Sequence, residues 1–588
     1  MKRLLVTTAQ EDSWNVSEPT IFLGEWCKKS NRQHVWSSID SEVVRPYGLD
    51  PKQRILDTDE MHKLYDTLIR ELSVKLNDFH NKNYSVRYWT ILIGPWLGSF
   101  VMVVMNRYKA LEVAIDNFDI SKTILINQKG FSLTKNDYSD FREAINSDLW
   151  NNALYVEILK NIKNIKSQNI EILIKNTKSA NFSNHKNIKF NFKSSLKKSA
   201  LRVSNFLQFL SRNTDAFIVN SYLPIIDEIK LKLLLGQFPI IWKSPKIDSN
   251  YFRDVELNRN DFLLEFQNFN GIERELKRLI NKLIPKIYIE GYEFMCREAN
   301  NLKWPSNPKF IFTSNNFTAD ELFKFWVGLK VEEGASYYVG QHGANYGTSY
   351  ESKNWTELNT ADRFYSWGWK DMYKDVNTIP AFNFKIINNL NCRYKKNGKL
   401  LLVERSPGTR DGPRDRFYES LIVHEGMVEL YKLLHTTIQQ KSLVRLHHRS
   451  TTLTSWQQKY KPINIDSGKG GFNKLISQSR LVVFNYDSAG LLELLAMNVP
   501  VICFWKGGFS HLLPVSKKYY DLLKDSGIFY DNSEKVANHI NLHWEDVDSW
   551  WLSPEVQSAR KLFCEKFAKI PNDFIRDLDK VIDKVVDG

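Results

Sequence analysis

The residues of this chain best suited to chemistry sit in two glycine-flanked turns about 140 residues apart. The first, Gly340-Gln341-His342-Gly343-Ala344-Asn345-Tyr346-Gly347, follows the β-branched and aromatic run Ser336 to Val339 and offers an imidazole between glycines. The second, Asn485-Tyr486-Asp487-Ser488-Ala489-Gly490, follows Leu481 to Phe484 and leads into the helix-like run Leu491 to Ala496. Turns of this kind lie where open α/β sheets place their ligands. A neutral imidazole, with an ordinary pKa near 6.5, can take the proton of a hydroxyl nucleophile. Backbone amides at a helix N-terminus can receive an anion. Together they suit group transfer from a phosphate-bearing donor held between two domains.

His342 is therefore the candidate base, against the plainer role of a loop histidine bonded to nearby backbone. Gln341, Asn345 and Trp96 are expected on the acceptor side. Asp362 has two readings, orienting His342 or capping the turn before Phe364. Glu25, in Gly24-Glu25-Trp26, reads as a carboxylate catalyst or as half of a structural ion pair. A leaving phosphate needs cations and amides. The amides of Ala489, Gly490 and Leu491 should open a helix after Ser488, and glycine lets an anion approach the backbone. Arg445, His447, His448 and Arg449 end a predicted parallel strand, at the sheet edge where ligands bind. Glu493, one turn into the helix, could hydrogen-bond a ribose hydroxyl. Asp487 reads as the helix N-cap or as a sugar-recognition group. The loop Glu404 to Gly412 brings Arg405 and Arg410 after another strand, facing donor phosphate or simply solvated, and Lys506 follows a further one.

Positioning these groups requires a large α/β scaffold. The chain has 588 residues, 43% of them apolar and 13% aromatic, enough for several packed cores. Short apolar strand candidates at Leu4 to Thr7, Thr123 to Asn127, Ala216 to Asn220, Phe310 to Thr313, Tyr337 to Gly340 and Phe364 to Trp367 alternate with helical patterns such as Met61 to Phe79 and Arg274 to Leu302. That alternation predicts a parallel sheet. A polar, basic stretch at 388–399 reads as a linker. A second unit then opens at Leu400 to Val403 and continues through Leu443 to Leu446, Leu481 to Phe484 and Val499 to Trp505. The expected organisation is an acceptor-side α/β domain over 1–387, the linker, a donor domain over 400–553, and a C-terminal helix over 554–588 that packs back on the first domain.

Charge and cysteine usage narrow the partners. The formal net charge is +14, concentrated between 160 and 202, where eleven Lys and Arg face the single acid Glu171. Three readings of that stretch stand: solvated surface, docking on anionic lipid, and nucleic-acid binding. The last is not expected, because stacking aromatics are few and no binding module is visible. Tyr88 to Met105 carries no charge, yet Gly94-Pro95 and Gly98-Ser99 argue for a buried strand, loop and helix rather than a membrane span. The five cysteines are scattered, without C-x-x-C or zinc spacing, which fits a reduced cytoplasmic compartment and no structural metal. No secretion signal is read in Met1 to Thr8.

Six motifs carry a resemblance. Phe22 to Cys27, Gly94 to Leu97, Leu235 to Pro239, Gly340 to Gly343, Ala361 to Phe364 with Trp367 to Trp369, and Leu492-Glu493 through Pro500 to Trp505 together resemble a bacterial family of transferases encoded in surface-polysaccharide gene clusters. More distantly, the order of His-Gly turn, Ala-Asp strand, new apolar strand, Arg-x-His strand end and Tyr-x-Ser turn is similar to the C-terminal halves of CDP-glycerol glycerophosphotransferases and capsule Kdo transferases. That likeness implies a GT-B architecture, two facing Rossmann-like domains with an elaborated helix-rich N-terminal one, and use of cytidine nucleotides. It implies His342 as base, and His447 and Ser488 as donor-phosphate ligands. The pattern departs at His448 and Arg449, where the glycerophosphotransferases have proline after the histidine, and at Ala489, where they carry a second hydroxyl.

The expectation from sequence is a metal-independent cytoplasmic GT-B glycosyltransferase of capsule, O-antigen or similar polysaccharide assembly, with no cofactor beyond a nucleotide-sugar co-substrate. The donor expected is a CMP-linked ulosonic acid, and the acceptor a glycan or lipid-linked hydroxyl. The enzyme contacts the inner membrane face through the Lys-rich stretch, if at all. The alternatives are a polyol-phosphate transferase using a CDP-alcohol and a non-catalytic nucleotide- or carbohydrate-binding assembly protein.

Overall fold

A computed structural model of the chain describes residues 2–571 and 577, apart from 166–169, 178–206, 248–258, 263, 353–354, 371, 374–375, 390–391, 406–411, 413, 451 and 460–462. Most of the Lys-rich stretch, and Arg410, lie outside the described residues.

Strands two to nine residues long pair into three wholly parallel sheets. The first has the order β3-β2-β1-β4-β5, with β1 Arg3–Val6, β2 Thr20–Phe22, β3 Ser41–Val43, β4 Ile120–Gln128 and β5 Glu171–Thr177. The second has the order β10-β9-β8-β7-β6, with β6 Phe217–Val219, β7 Ile311–Thr313, β8 Tyr337–Gly340, β9 Arg363–Ser366 and β10 Thr378–Pro380. The third has the order β13-β12-β11-β14-β15-β16, with β11 Lys399–Val403, β12 Ser442–Arg445, β13 Asn464–Asp466, β14 Ser479–Phe484, β15 Val501–Phe504 and β16 Phe529–Tyr530. Leu400, Leu401, Leu402, Val482, Val483, Val501 and Ile502 are buried, as strands covered on both faces must be. The first 387 residues thus carry two sheets, where the strand pattern predicted one. Strands of three residues such as β2, β3 and β10 are too short for periodicity to reveal.

Helices supply the layers. Helix α1, Pro51–His80, starts with the Asp50 carboxylate accepting from the Lys52 amide and with proline in its first turn. Helix α2, Val86–Asn117, runs unbroken for 32 residues through Pro95, against the expected strand, loop and helix. Packing overrides the break: α2 lies against α1, and Gly94 comes so close to Tyr65 and Thr356 that a Cβ there would stand 2.7 Å from the tyrosine hydroxyl. Its most apolar window is long and apolar enough to cross a membrane, yet 72% of that window is buried inside the protein. The predicted helical stretch Arg274 to Leu302 divides into Gly271–Leu283 and Tyr292–Asn300, because Pro285 cannot continue the first. Helix α3, Arg416–Leu433, and helix α4, Ala489–Ala496, flank the third sheet. The last described helix, α5, Pro554–Phe567, packs mainly on α4 and on Pro514–Asp525 of its own unit. Just beyond its end, the Lys569 amide donates to Trp367 O and Lys569 O accepts from the Asn383 amide, each across to the second sheet's unit.

Candidate active site

The carboxyl ends of the strands converge on one cavity of 2160 Å³. Asn220 enters it after β6, Asn316 and Phe317 after β7, His342 to Tyr346 after β8, Arg405 after β11, Asn485 to Asp487 after β14, and Trp505 and Lys506 after β15. Helices α1 and α2 close one side with Arg54, Met61, Pro95 and Met102. Open α/β sheets bind ligands at this edge.

His342 is held by its backbone and by its ring. The Gln341 amide donates to Tyr365 O at 2.9 Å, fixing the turn on the end of β9. Gly340 is needed because a Cβ there would collide with the Ser314 side chain. The ring nitrogen Nδ1 lies 3.2 Å from Ser314 O and 2.6 Å from the Tyr222 hydroxyl. A carbonyl only accepts, so the tautomer that satisfies Ser314 O has Nδ1 protonated and the Nε2 lone pair free, whereas the tautomer in which Nδ1 accepts from the Tyr222 hydroxyl reverses the two. Nε2 has no hydrogen-bond partner among the described residues, and His342 lines the cavity. Burial lowers the pKa, with nearby Lys385 and Arg142 adding to the effect while the Ser314 bond opposes it. The imidazole is therefore neutral at neutral pH, as a base must be.

The second turn is built differently from its sequence reading. Ser488, not Asp487, is the N-cap of α4: its Oγ accepts from the Gly490 amide at 3.1 Å. The serine occupies that donor itself, and Ser488, Ala489 and Gly490 do not line the cavity. Asp487 does. Both its carboxyl oxygens are buried without a hydrogen-bond partner, and burial lifts its pKa to about 7, the adjacent Ser488 amide only partly opposing.

Several expected site residues are structural. Asp362 precedes β9 while His342 follows the parallel β8, which puts them at opposite ends of the sheet, roughly 13 Å apart along strands of four residues. Asp362 instead accepts from the Tyr337 amide at 2.7 Å and pairs with Arg87 at 2.8 Å. Gln341 is buried and fully used: its Nε2 donates to Gly343 O, and its Oε1 accepts from the Trp367 amide and Trp369 Nε1, each at 2.8 Å. Trp96 is wholly buried among Phe100, Phe141 and Tyr288. Glu25 pairs with Lys28 at 3.3 Å outside the cavity wall. Arg445 is spent on Asp466 at 2.9 Å and Gly470 O at 3.1 Å. His447 accepts from the Arg449 amide at 3.2 Å and stands behind Arg449, which does line the cavity. Glu493 is also off the wall. Asn345 lines it as expected, with a φ of 76° that bends the turn. The carboxylates of Asp57 and Asp59, an Asp-x-Asp spacing, are taken by Gln53, Tyr47 and Tyr350.

One prominent feature has only partial sequence signal. Arg54 of α1 and Arg405, Arg414 and Arg416 around the start of α3 gather on the cavity wall about two carboxylates, Glu351 and Glu419. Arg416 donates to Glu351 at 3.0 Å and Arg54 to Glu419 at 3.1 Å; Arg414 lies 3.3 Å from Glu351 and 3.4 Å from Glu419, and Arg405 lies 3.8 Å from Glu419. The arginine side chains are only 17–28% exposed. Asn106 of α2, donating to Gly412 O and Arg414 O, and Tyr47 O, accepting from the Asp415 amide, hold the segment in place. His511 borders the cluster, and burial and the neighbouring arginines press its pKa to about 4. The charged loop announced cations here, but the partnership with Arg54, some 350 residues earlier, is a product of the fold.

Parallel Rossmann-like sheets facing each other across a cleft, with an imidazole on one lip and guanidiniums on the other, define a GT-B-type α/β fold elaborated by a third sheet. The chain belongs to the LIC12162 family of transferases, whose family model matches residues 3–582. A search of curated proteins finds no match. Among solved structures the chain is remotely similar to the wall teichoic acid polymerase TagF, with 11% identity over 67% of this chain and 96% of that one at a TM-score of 0.30. It is similarly remote from MurG of Acinetobacter baumannii, with 11% identity over 63% and 99% at 0.33. The glycosyltransferase SnogD of Streptomyces nogalater gives 11% identity over 63% and 99% at 0.27.

Proposed function

We propose that this transferase is a glycosyltransferase of bacterial surface-polysaccharide assembly, which moves an ulosonic acid from a CMP-linked donor to a hydroxyl of a glycan or lipid-linked acceptor. The observation that supports it most is His342: a neutral imidazole with Nδ1 tied to Ser314 O, leaving Nε2 open to a cleft whose far wall carries four arginines. In this reading Nε2 takes the acceptor proton as the acceptor oxygen bonds to the anomeric carbon. The anomeric carbon–oxygen bond to phosphate breaks with its electron pair, CMP departs into the field of the guanidiniums, and the proton passes from His342 to solvent. No metal or cofactor enters the scheme. The protein works in the cytoplasm, where activated donors are made, at or near the inner membrane face.

Four arginines on one wall of the cavity also fit a diphosphate, which supports, as a second reading, a polyol-phosphate transferase that releases CMP from a CDP-alcohol. A calorimetric panel of CMP, CDP, UMP, UDP, GDP and dTDP tests the donor class. Selective binding of cytidine nucleotides supports both readings, and turnover of a CMP-linked ulosonic acid against that of a CDP-alcohol separates them. Preference for uridine or guanosine nucleotides overturns both, and silence from all six favours a non-catalytic role.

A further inference from the structure

We propose that Tyr222 is a positioning residue for His342: its hydroxyl oxygen accepts from Nδ1–H together with Ser314 O, which holds the ring with its Nε2 lone pair towards the cleft. The inference rests on the reading of His342 as the base. The phenol oxygen lies 2.6 Å from Nδ1, and Ser314 O lies 3.2 Å from it. A hydroxyl can give or take a hydrogen bond, whereas a carbonyl only takes one. An unprotonated Nδ1 would set its lone pair against that of Ser314 O, so the carbonyl decides where the proton sits and the phenol follows as second acceptor. Burial pushes the Tyr222 hydroxyl up to about 12, which keeps it a neutral phenol. Tyr222 does not line the cavity. Its ring centroid stands 5.7 Å from that of His342, so it reaches the reaction only through the imidazole.

The loop after β6 is bent to present the phenol. Asn220 and Tyr222 have φ of 46° and 67°, a region that asparagine visits and tyrosine ordinarily avoids. Such conformations persist where surrounding contacts over-determine them. Here the Ser314 amide donates to Asn220 O at 3.1 Å, Ser314 Oγ donates to Ser221 O at 3.2 Å, and Asn220 Nδ2 donates to Asn316 Oδ1. Ser221 Oγ in turn donates to Glu228 at 2.7 Å, and Glu228 pairs with the buried Lys232. Both acceptors of Nδ1 therefore come from loops that are bonded to each other. Beyond β10, the Lys385 ammonium sits 5.2 Å from the Tyr222 ring centroid and holds the face of the phenol. Burial, and then Lys385 and the Arg142 of Tyr138–Ala144, disfavours the His342 imidazolium; acceptors on Nδ1 oppose them. As Nε2 takes a proton, the bonds from Nδ1–H become charge-assisted and strengthen, and no proton leaves Nδ1.

Nitrogen-15 NMR of the full chain labelled at histidine, with the His342 signals assigned by their loss in His342→Ala, reads the ring without donor or acceptor. Failure here is thus separable from failure of the glycosyltransferase reading. The wild type should show His342 protonated at Nδ1. Tyr222→Phe, which keeps the aromatic ring and removes the oxygen, should lower the titration midpoint of His342 by about half to one pH unit, the worth of one hydrogen bond. In turnover assays the same variant should lower kcat about tenfold with KM held within about twofold, a split that a general loosening of the fold would not give. Where Tyr222→Phe melts early, the wild-type spectrum still decides: protonation at Nδ1 supports the proposal, and protonation at Nε2 means that the phenol donates and overturns it. A midpoint unchanged or raised in Tyr222→Phe, or a raised KM at unchanged kcat, overturns it as well.

Discussion

Replacing Asp487 by asparagine isolates one buried ionisable group and gives a signed, sizeable expectation. Both carboxyl oxygens are buried with no hydrogen-bond partner, and the pKa rises from 3.8 to about 7. The folded protein therefore keeps a proton that the unfolded chain releases above pH 4. Stability contributed by the neutral acid is present below the unfolded pKa and is lost as pH rises towards the folded one. A shift of about three units at 1.36 kcal/mol each amounts to about 4 kcal/mol between pH 4 and 8, an upper figure because water can reach the cavity wall. Asparagine has nearly the same shape and no charge to lose. At pH 4 the variant and wild type should melt within a degree or two of each other; at pH 8 the variant should melt higher by about 10 °C if the third-sheet unit unfolds cooperatively. Thermal unfolding at five pH values between 4 and 8 measures this directly. Parallel pH profiles for the two proteins, or a variant less stable at pH 8, would refute the assignment of a buried, unpartnered carboxyl.

His342→Ala should lower turnover by a factor on the order of 100 or more while leaving donor affinity within twofold, read from single-turnover rates beside calorimetry. Since burial places the His342 pKa below its ordinary 6.5, the wild-type rate should be flat at neutral pH and fall only on the acid side of 6.5, as measured in a pH–kcat profile. Gln341→Ala should leave three hydrogen bonds unmade, two of them to buried tryptophan groups, and should cost about 2–4 kcal/mol of stability in thermal or urea unfolding. His511, whose pKa falls to about 4 in the fold, contributes stability that is complete above pH 6.5 and is lost as pH drops towards 4; His511→Asn should flatten unfolding midpoints across that window by about 3 kcal/mol at most.

The strands that carry the site were legible because each is an apolar run, with a glycine-bearing turn after all of the following except β12. β8, β9, β11, β12, β14 and β15 fall within a residue or two of where the runs predict them. His342 was legible for the same reason, since strand ends of a parallel sheet are where side chains meet ligands. What the sequence does not display is which end of a strand a neighbour occupies. Asp362 stands near His342 in number but at the opposite end of the strands, and Gln341 adjoins His342 yet turns inward to Trp367 and Trp369. The glycine-proline pair in α2 signals a break that burial between α1 and Glu321–Glu332 overrides. The N-cap went to Ser488 rather than Asp487, two residues of nearly equal capping preference. Arg54 could not be assigned beforehand, since its partners arrive from segments about 300 and 360 residues away.

The most direct measurement follows release of CMP from a CMP-linked ulosonic acid by the wild type and by His342→Ala, with a glycan acceptor added and omitted. Acceptor-dependent CMP release is expected from the wild type, lowered on the order of 100-fold in the variant with donor binding intact. Acceptor-dependent release that persists at the wild-type rate in His342→Ala would contradict the assignment of the base, and no release from the wild type under any acceptor would contradict the donor.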